Sequence, residues 1–187
     1  GTSKSWDRCV HHTTVATGGN TPGYYMATCS GPRPGVCQGM NSLATSSFNL
    51  KGISMDDNRI RTAVAAWLAD ATVAEATYGH ISTWKTGKVT DMSQLFWQAG
   101  GDCAFNEDIS AWDTSQVVTM AGMFGCDAGE GAFNRPIGAW DVSSVEDMSG
   151  MFQYASSFNQ DLSGWSPISV KDMRSIFEGA TAFDQDL

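Results

Sequence analysis

Positive charge is scarce in this chain: 11 lysines and arginines stand against 20 aspartates and glutamates in 187 residues, a net charge of −9. The shortage is concentrated in residues 80–187, which carry five basic and fifteen acidic side chains. Nucleic acid, anionic headgroups and other polyanions are thereby excluded as partners. No run of 18 apolar residues occurs, so no transmembrane segment is expected, and the polar stretch Gly1 to Asp7 does not form a signal peptide. Histidine is limited to His11, His12 and His80, and no serine, histidine and acid arrangement can be recognised. Cys9 with His11 and His12 makes a ligand-capable cluster, but zinc requires four well-placed ligands. The chain is therefore expected to be no enzyme, with no catalytic residues, no metal and no cofactor.

Charged residues make up only 17% of the chain and hydrophobic ones 42%, which is the profile of a folded protein. The aromatics carry the organisation. Tryptophans fall at Trp84, Trp112, Trp140 and Trp165, and the same string follows each: Val89, Val117, Val145, Val170, then Met92, Met120, Met148, Met173. Phe96, Phe124, Phe152 and Phe177 come next, then Phe105, Phe133, Phe158 and Phe183, with Asn106, Asn134, Asn159 and Asp184 directly behind. Self-similarity at this period indicates a repeat architecture. The repeats differ in length only between their two phenylalanines, which are nine residues apart in the first two copies and six in the last two.

A coil of this length suits one short strand and one short helical segment. The Val-x-x-Met stretch is the strand candidate, stacking into a parallel ladder, and Ser-x-Leu/Met-Phe-x-x-Ala is the helical one. The expected fold class is thus an α/β solenoid, a short parallel coil of about four repeats over residues 81–187. An N-terminal helical cap is expected over 56–80, with Asp56 or Asp57 as N-cap, an apolar face at Ile60, Val64, Trp67 and Leu68, and Gly79 as a stop. Such arrays need covered ends. Residues 1–55 are rich in Gly, Ser, Thr and Pro and read as an irregular leader needing disulfide staples.

Of five cysteines, Cys29 and Cys37 could close a small loop around a Pro/Gly turn, with Cys9 competing for either. Cys103 and Cys126 lie in the longer loops of adjacent repeats and are candidates for a disulfide, or else pack as small hydrophobes. Cysteine usage points to an oxidising compartment.

The strings Phe158-Asn-Gln-Asp-Leu-Ser-Gly-Trp165, Phe105-Asn-Glu-Asp-Ile-Ser-Ala-Trp112 and Val145-Glu-Asp-Met-Ser-Gly-Met-Phe152 closely resemble the repeat of the BspA-like, mycoplasma-lipoprotein-like surface proteins, an atypical leucine-rich-repeat branch expanded in microalgae and other protists. The resemblance covers about residues 75–187. It implies a right-handed, leucine-rich-repeat-like coil, extracellular or cell-surface placement, and adhesion or protein binding, with no catalytic residues to carry over. An oxidising organelle is the alternative location.

Trp84, Trp112, Trp140 and Trp165 are read as a structural ladder, and Asn106, Asn134 and Asn159 as side chains bonding backbone groups of the next coil. The aspartates of the repeat could in principle gather calcium, but Thr119 and Pro136 interrupt their columns and the repeat pattern already accounts for them. Trp6, Tyr24, Tyr25, Trp97 and Tyr154 do not repeat, and interfaces favour such residues, which makes them the candidates for a partner surface. The expected function is a non-catalytic recognition or adhesion module binding a protein or glycan through the solenoid surface. The alternative is a structural subunit of a larger assembly, an appendage or organellar complex, with leader and solenoid ends packed on neighbouring chains.

Overall fold

The computed structural model describes residues 52–97, 103–127 and 131–186. Helix α1, Asp57–Ala69, starts where the Asp56 carboxylate accepts the Arg59 N–H at 2.8 Å, satisfying one of the amides a helix start leaves without a partner. Its buried residues Ile60, Ala63, Val64 and Trp67 fall on one face. Asp70 then adopts an extended backbone, closing α1, and its side chain accepts from Thr72 and Val73 N–H to open α2, Ala71–Tyr78. Gly79 at φ +73° ends α2, a conformation that glycine adopts without a Cβ penalty. A 3-10 turn at Ile81–Thr83 leads into the tryptophan-bearing segments.

From there on no strand and no further helix occurs among the described residues. The expected α/β solenoid of leucine-rich-repeat type, with a parallel strand ladder and a helical segment in each coil, is overturned. The parallel contacts are isolated bridges at single residues, Asp91 to Thr119, Thr119 to Asp147 and Asp147 to Asp172. The reason lies in two features of the backbone. Amides alternate between partners: Met92, Gln94 and Phe96 donate to the carbonyls of Thr119, Ala121 and Met123, while Leu95 and Trp97 between them donate back to Met92 and Gln94. A helix needs consecutive bonds within one segment, so this alternation cannot become one. Gln94, Gly122, Gly150 and Ser175, two residues after each repeated methionine, sit at φ of +52°, +63°, +60° and +56°. An extended run cannot pass through that region, and each bridge stops after one residue.

The core is aromatic. Phe96, Phe124, Phe152 and Phe177 form one column with centroids 5.5, 5.7 and 5.4 Å apart. Phe105, Phe133, Phe158 and Phe183 form a second at 6.0, 6.0 and 5.9 Å. Fully burying such a ring contributes about 1.5–3 kcal/mol, and Phe177 and Phe183 at the end of the columns are only partly buried. The indole N–H groups of Trp112, Trp140 and Trp165 donate to the carbonyls of Ile81, Ile109 and Ile137, so each ring is tied to the preceding segment while buried or partly buried. At another corner Asn106 Oδ1 accepts from Asn134 N–H, Asn134 Oδ1 from Asn159 N–H and Asn159 Oδ1 from Asp184 N–H, each at 3.0 Å.

Candidate functional site: an open polar groove

The positive-φ corners leave a groove across their outer side, about 840 Å³ in volume and open to solvent. Its size lies within the range of ligand sites, but its lining is more polar than the apolar clefts that hold most cofactors. Trp97 and Tyr154 stand in it. Each follows an inward-facing phenylalanine of the core column, by one residue after Phe96 and two after Phe152. In each case a neighbouring segment supplies a glycine. A Cβ on Gly125 would lie 3.6 Å from Trp97 Cδ1, and one on Gly179 would collide with Tyr154 Cδ1 and lie 2.7 Å from its Cε1. The Tyr154 ring, 36% exposed, therefore rests on the Gly179 backbone, while Trp97, partly buried, stands at ordinary contact distance from a Cβ position on Gly125.

Polar groups lie in the groove beside the two rings. Asp147 Oδ1 accepts from Ser149 N–H at 2.8 Å, while its second oxygen, the Ser149 hydroxyl and the Gln94 amide make no hydrogen bond among the described residues. At one end Gln153 Nε2 donates to Glu178 at 2.9 Å. Hydrogen bonds from the Ser175 side chain, and then from Gln153, hold the Glu178 carboxyl below its usual range. Arg174 clasps Asp172 with Nε and Nη2, and this side-chain bond, followed by the Arg174 main-chain amide, holds the Asp172 carboxyl low.

Cys126 also lines the groove, and it is disulfide-bonded to Cys103 with Cα atoms 6.0 Å apart. Trp84, Trp112 and Trp140 are each 3% exposed and lie away from the groove. Trp6, Tyr24, Tyr25, Cys29 and Cys37 lie outside the described residues. Gln94, Gln153 and Arg174 were not singled out by sequence reasoning, whereas Asp147 is read there as a member of a calcium-capable aspartate column and Ser149 as a helix cap. The available signal was the succession Gln94, Gly122, Gly150, Ser175 at a position where apolar spacing is otherwise strict. The repeated aspartates are engaged by local turns, as Asp91, Asp147 and Asp172 each accept the main-chain N–H two residues on. Among the described residues no group of three or more His, Cys, Asp or Glu side chains is placed to hold a metal ion. No described helix is long and apolar enough to cross a membrane.

The family model described as a mycoplasma protein of unknown function, DUF285, matches residues 66–187. The chain belongs to this family. The DUF285 match replaces the resemblance to BspA-like leucine-rich-repeat surface proteins, because the described residues of the DUF285 region contain no strand and no sheet. No curated protein and no solved structure matches the chain. Without a strand ladder there is no solenoid surface of the expected kind. The recognition or adhesion module acting through that surface, and the alternative of an assembly subunit packed through solenoid ends, are both overturned with it. The disulfide of the DUF285 region is of the kind that persists in oxidising compartments.

Proposed function

We propose that this chain is a non-catalytic glycan-binding protein acting in an oxidising compartment outside the cell. The observation that carries the reading is the pair of aromatic rings that line a polar groove, Tyr154 seated on the Gly179 backbone. A pyranose offers a flat C–H face and a rim of hydroxyls. The first packs on an aromatic ring, and the second needs donors and acceptors that are not already paired. Trp97 and Tyr154 supply the faces; Gln94, Ser149 and the second oxygen of Asp147 supply the partners. The disulfide supports the compartment.

The test is to probe an array of immobilised glycans with the full oxidised chain and to quantify hits by calorimetry with wild type, Trp97→Ala and Tyr154→Ala. The expected result is saturable binding that weakens at least tenfold in either variant. A folded, oxidised chain that binds no glycan, or one whose glycan binding is indifferent to both substitutions, overturns the reading. Capture of a protein instead of any glycan would do so as well.

A further inference from the structure

We infer that the first tryptophan-bearing segment carries a site for a single tetrahedral oxyanion, a phosphate or sulfate group, in a solvent-open cleft of about 510 Å³ lined by Lys85, Gly87, Lys88 and Ser54. None of the residues lining this cleft lines the polar groove. The first observation is a comparison within the chain. After Trp112 and after Trp140 the backbone turns through Asp113-Thr114-Ser115 and Asp141-Val142-Ser143. Each aspartate Oδ1 accepts the N–H and the hydroxyl of the serine two residues on, at 3.1 and 2.7 Å in one turn and 2.9 and 2.6 Å in the other. After Trp84 the same turn reads Lys85-Thr86-Gly87. An ammonium group stands where the next two segments place a carboxylate, and the hydroxyl is gone. The Gly87 N–H is left with no acceptor among the described residues, so water or a ligand has to supply one.

The turn that presents this amide is tied down on both sides. Lys85 N–H donates to Ile53 O at 3.0 Å, Met55 N–H donates to Lys85 O at 2.9 Å, and Val89 N–H closes the turn onto Thr86 O at 2.7 Å. The buried Thr86 side chain donates its hydroxyl to Asp113 O at 2.9 Å, which joins the turn to the next segment.

The second observation is charge. Arg61, Lys171 and Arg174 each pair with a carboxylate, whereas Lys85 and Lys88 are in no ion pair among the described residues. The carboxylate in the cleft is that of Asp113. Its Oδ1 is spent on Ser115, and its Oδ2 lies so close over Gly87 that a Cβ there would stand 2.5 Å away. Two ammonium groups against one carboxylate leave the cleft positive in a chain of net charge −9. An extended polyanion meets the acidic remainder of the surface and is repelled. One compact oxyanion meets the two lysines and the open amide, which offer it charge-assisted hydrogen bonds. Bound there, it does for the Gly87 N–H what the aspartate does for the serine N–H in the next two segments.

The experiment is a calorimetric titration of the full oxidised chain with sodium phosphate and sodium sulfate at low ionic strength, against sodium chloride, with the Gly87 amide followed by NMR. Saturation of one site per chain and a shift of the Gly87 resonance are expected. Lys85→Asp, which restores the carboxylate of the next two segments, is expected to abolish the saturation while keeping or raising the melting temperature. Lys88→Gln is expected to weaken binding about tenfold, the loss of one charge-assisted bond. Asp113→Asn keeps an acceptor for Ser115, removes the negative charge over Gly87 and is expected to tighten binding about fivefold. Should Lys85→Asp not fold, as judged by its melting curve, Lys88→Gln and Asp113→Asn carry the test. Glucose 6-phosphate and glucose 6-sulfate run beside the inorganic ions. Tighter binding of an ester assigns the site to an oxyanion carried on a larger molecule, and equal or weaker binding assigns it to the free ion. No saturable binding, chloride competing as well as phosphate, or saturable binding indifferent to Lys85→Asp and Lys88→Gln overturns the inference.

Discussion

The carboxylate of Asp57 accepts the Thr90 N–H and hydroxyl at 2.7 and 2.8 Å, and the Asp91 N–H at 3.1 Å. In the next three segments the equivalent paired amides, Val118 and Thr119, Glu146 and Asp147, Lys171 and Asp172, donate to a main-chain oxygen of the segment before. A side chain from α1 thus stands where the later segments use a carbonyl. Burial pushes the Asp57 carboxyl up, but the bonds from Thr90 and Asp91 outweigh it and hold it below its usual range. Asp57→Ala leaves two amides without a protein partner. Because water reaches the site, a loss of about 1 kcal/mol is expected, read from urea unfolding. Asp57→Asn, which keeps an acceptor, is expected to lose less.

Acid should loosen the turns before it reaches the core. Asp108 and Asp141 are each held low by the hydroxyl and then the N–H of the serine two residues on, and Asp161 by the Ser163 N–H and then its side chain. A carboxyl depressed in the folded state contributes stability that is fully present above its unfolded pKa, about 3.9, and that is lost as pH falls through the folded value. Stability is therefore expected to be flat in this respect from pH 7 to about 5 and to fall below about 4. Removing the hydroxyls with Ser110→Ala, Ser143→Ala and Ser163→Ala should flatten the fall when unfolding is followed between neutral and acid pH.

The Cys103–Cys126 bond closes a sequence separation of 23 residues. Closing a loop of this length restricts the unfolded chain by about 3 kcal/mol in the chain-entropy account. Cys103→Ser with Cys126→Ser, or reduction of the wild type, is expected to lower the melting temperature clearly. Reductant should have no further effect on the double variant through this bond, which separates its contribution from that of the other cysteines.

Asn134 Oδ1 accepts from both Asn159 N–H at 3.0 Å and Gln160 Nε2 at 2.7 Å. Asn134→Ala is expected to cost about 1–2 kcal/mol in denaturant unfolding, as two donors lose one acceptor. Asn134→Asp retains an acceptor and should cost less at neutral pH than at acid pH, where its carboxyl protonates.

Signals for the two helices were plain in the residues. Asp56 stands before a periodic segment, Ile60, Val64 and Trp67 share a face, and Gly79 marks a stop, all through local chemistry that acts within one turn, whereas Asp70 as the cap of a second helix was not singled out. The outcome for the tryptophan-bearing segments was less legible. Val-x-x-Met has the composition of a strand, but Gln94 and Ser175 take a left-handed backbone that side-chain type does not announce, and the alternating amides prevent both regular structures. Trp97 and Tyr154 were visible as departures from the repeat. The seat of Tyr154 was not, because Gly179 reads as an ordinary loop glycine until the neighbouring segment is laid against it. Asp147 and Ser149 were legible only as regular members of the pattern, an aspartate column and a cap, and acquire open bonding capacity only from the groove above them.

The ring centroids of Trp67 and Trp84, and of Trp84 and Trp112, are 6.1 Å apart. At that separation indoles do not absorb and emit as independent dyes. Excitation delivered to any of the three passes among them before a photon leaves, so the ultraviolet spectroscopy of this protein is collective. Emission is expected to be depolarised without tumbling, near-ultraviolet dichroism to be strengthened by coupling, and fraying of α1 away from Trp84 to register optically although no label has been attached.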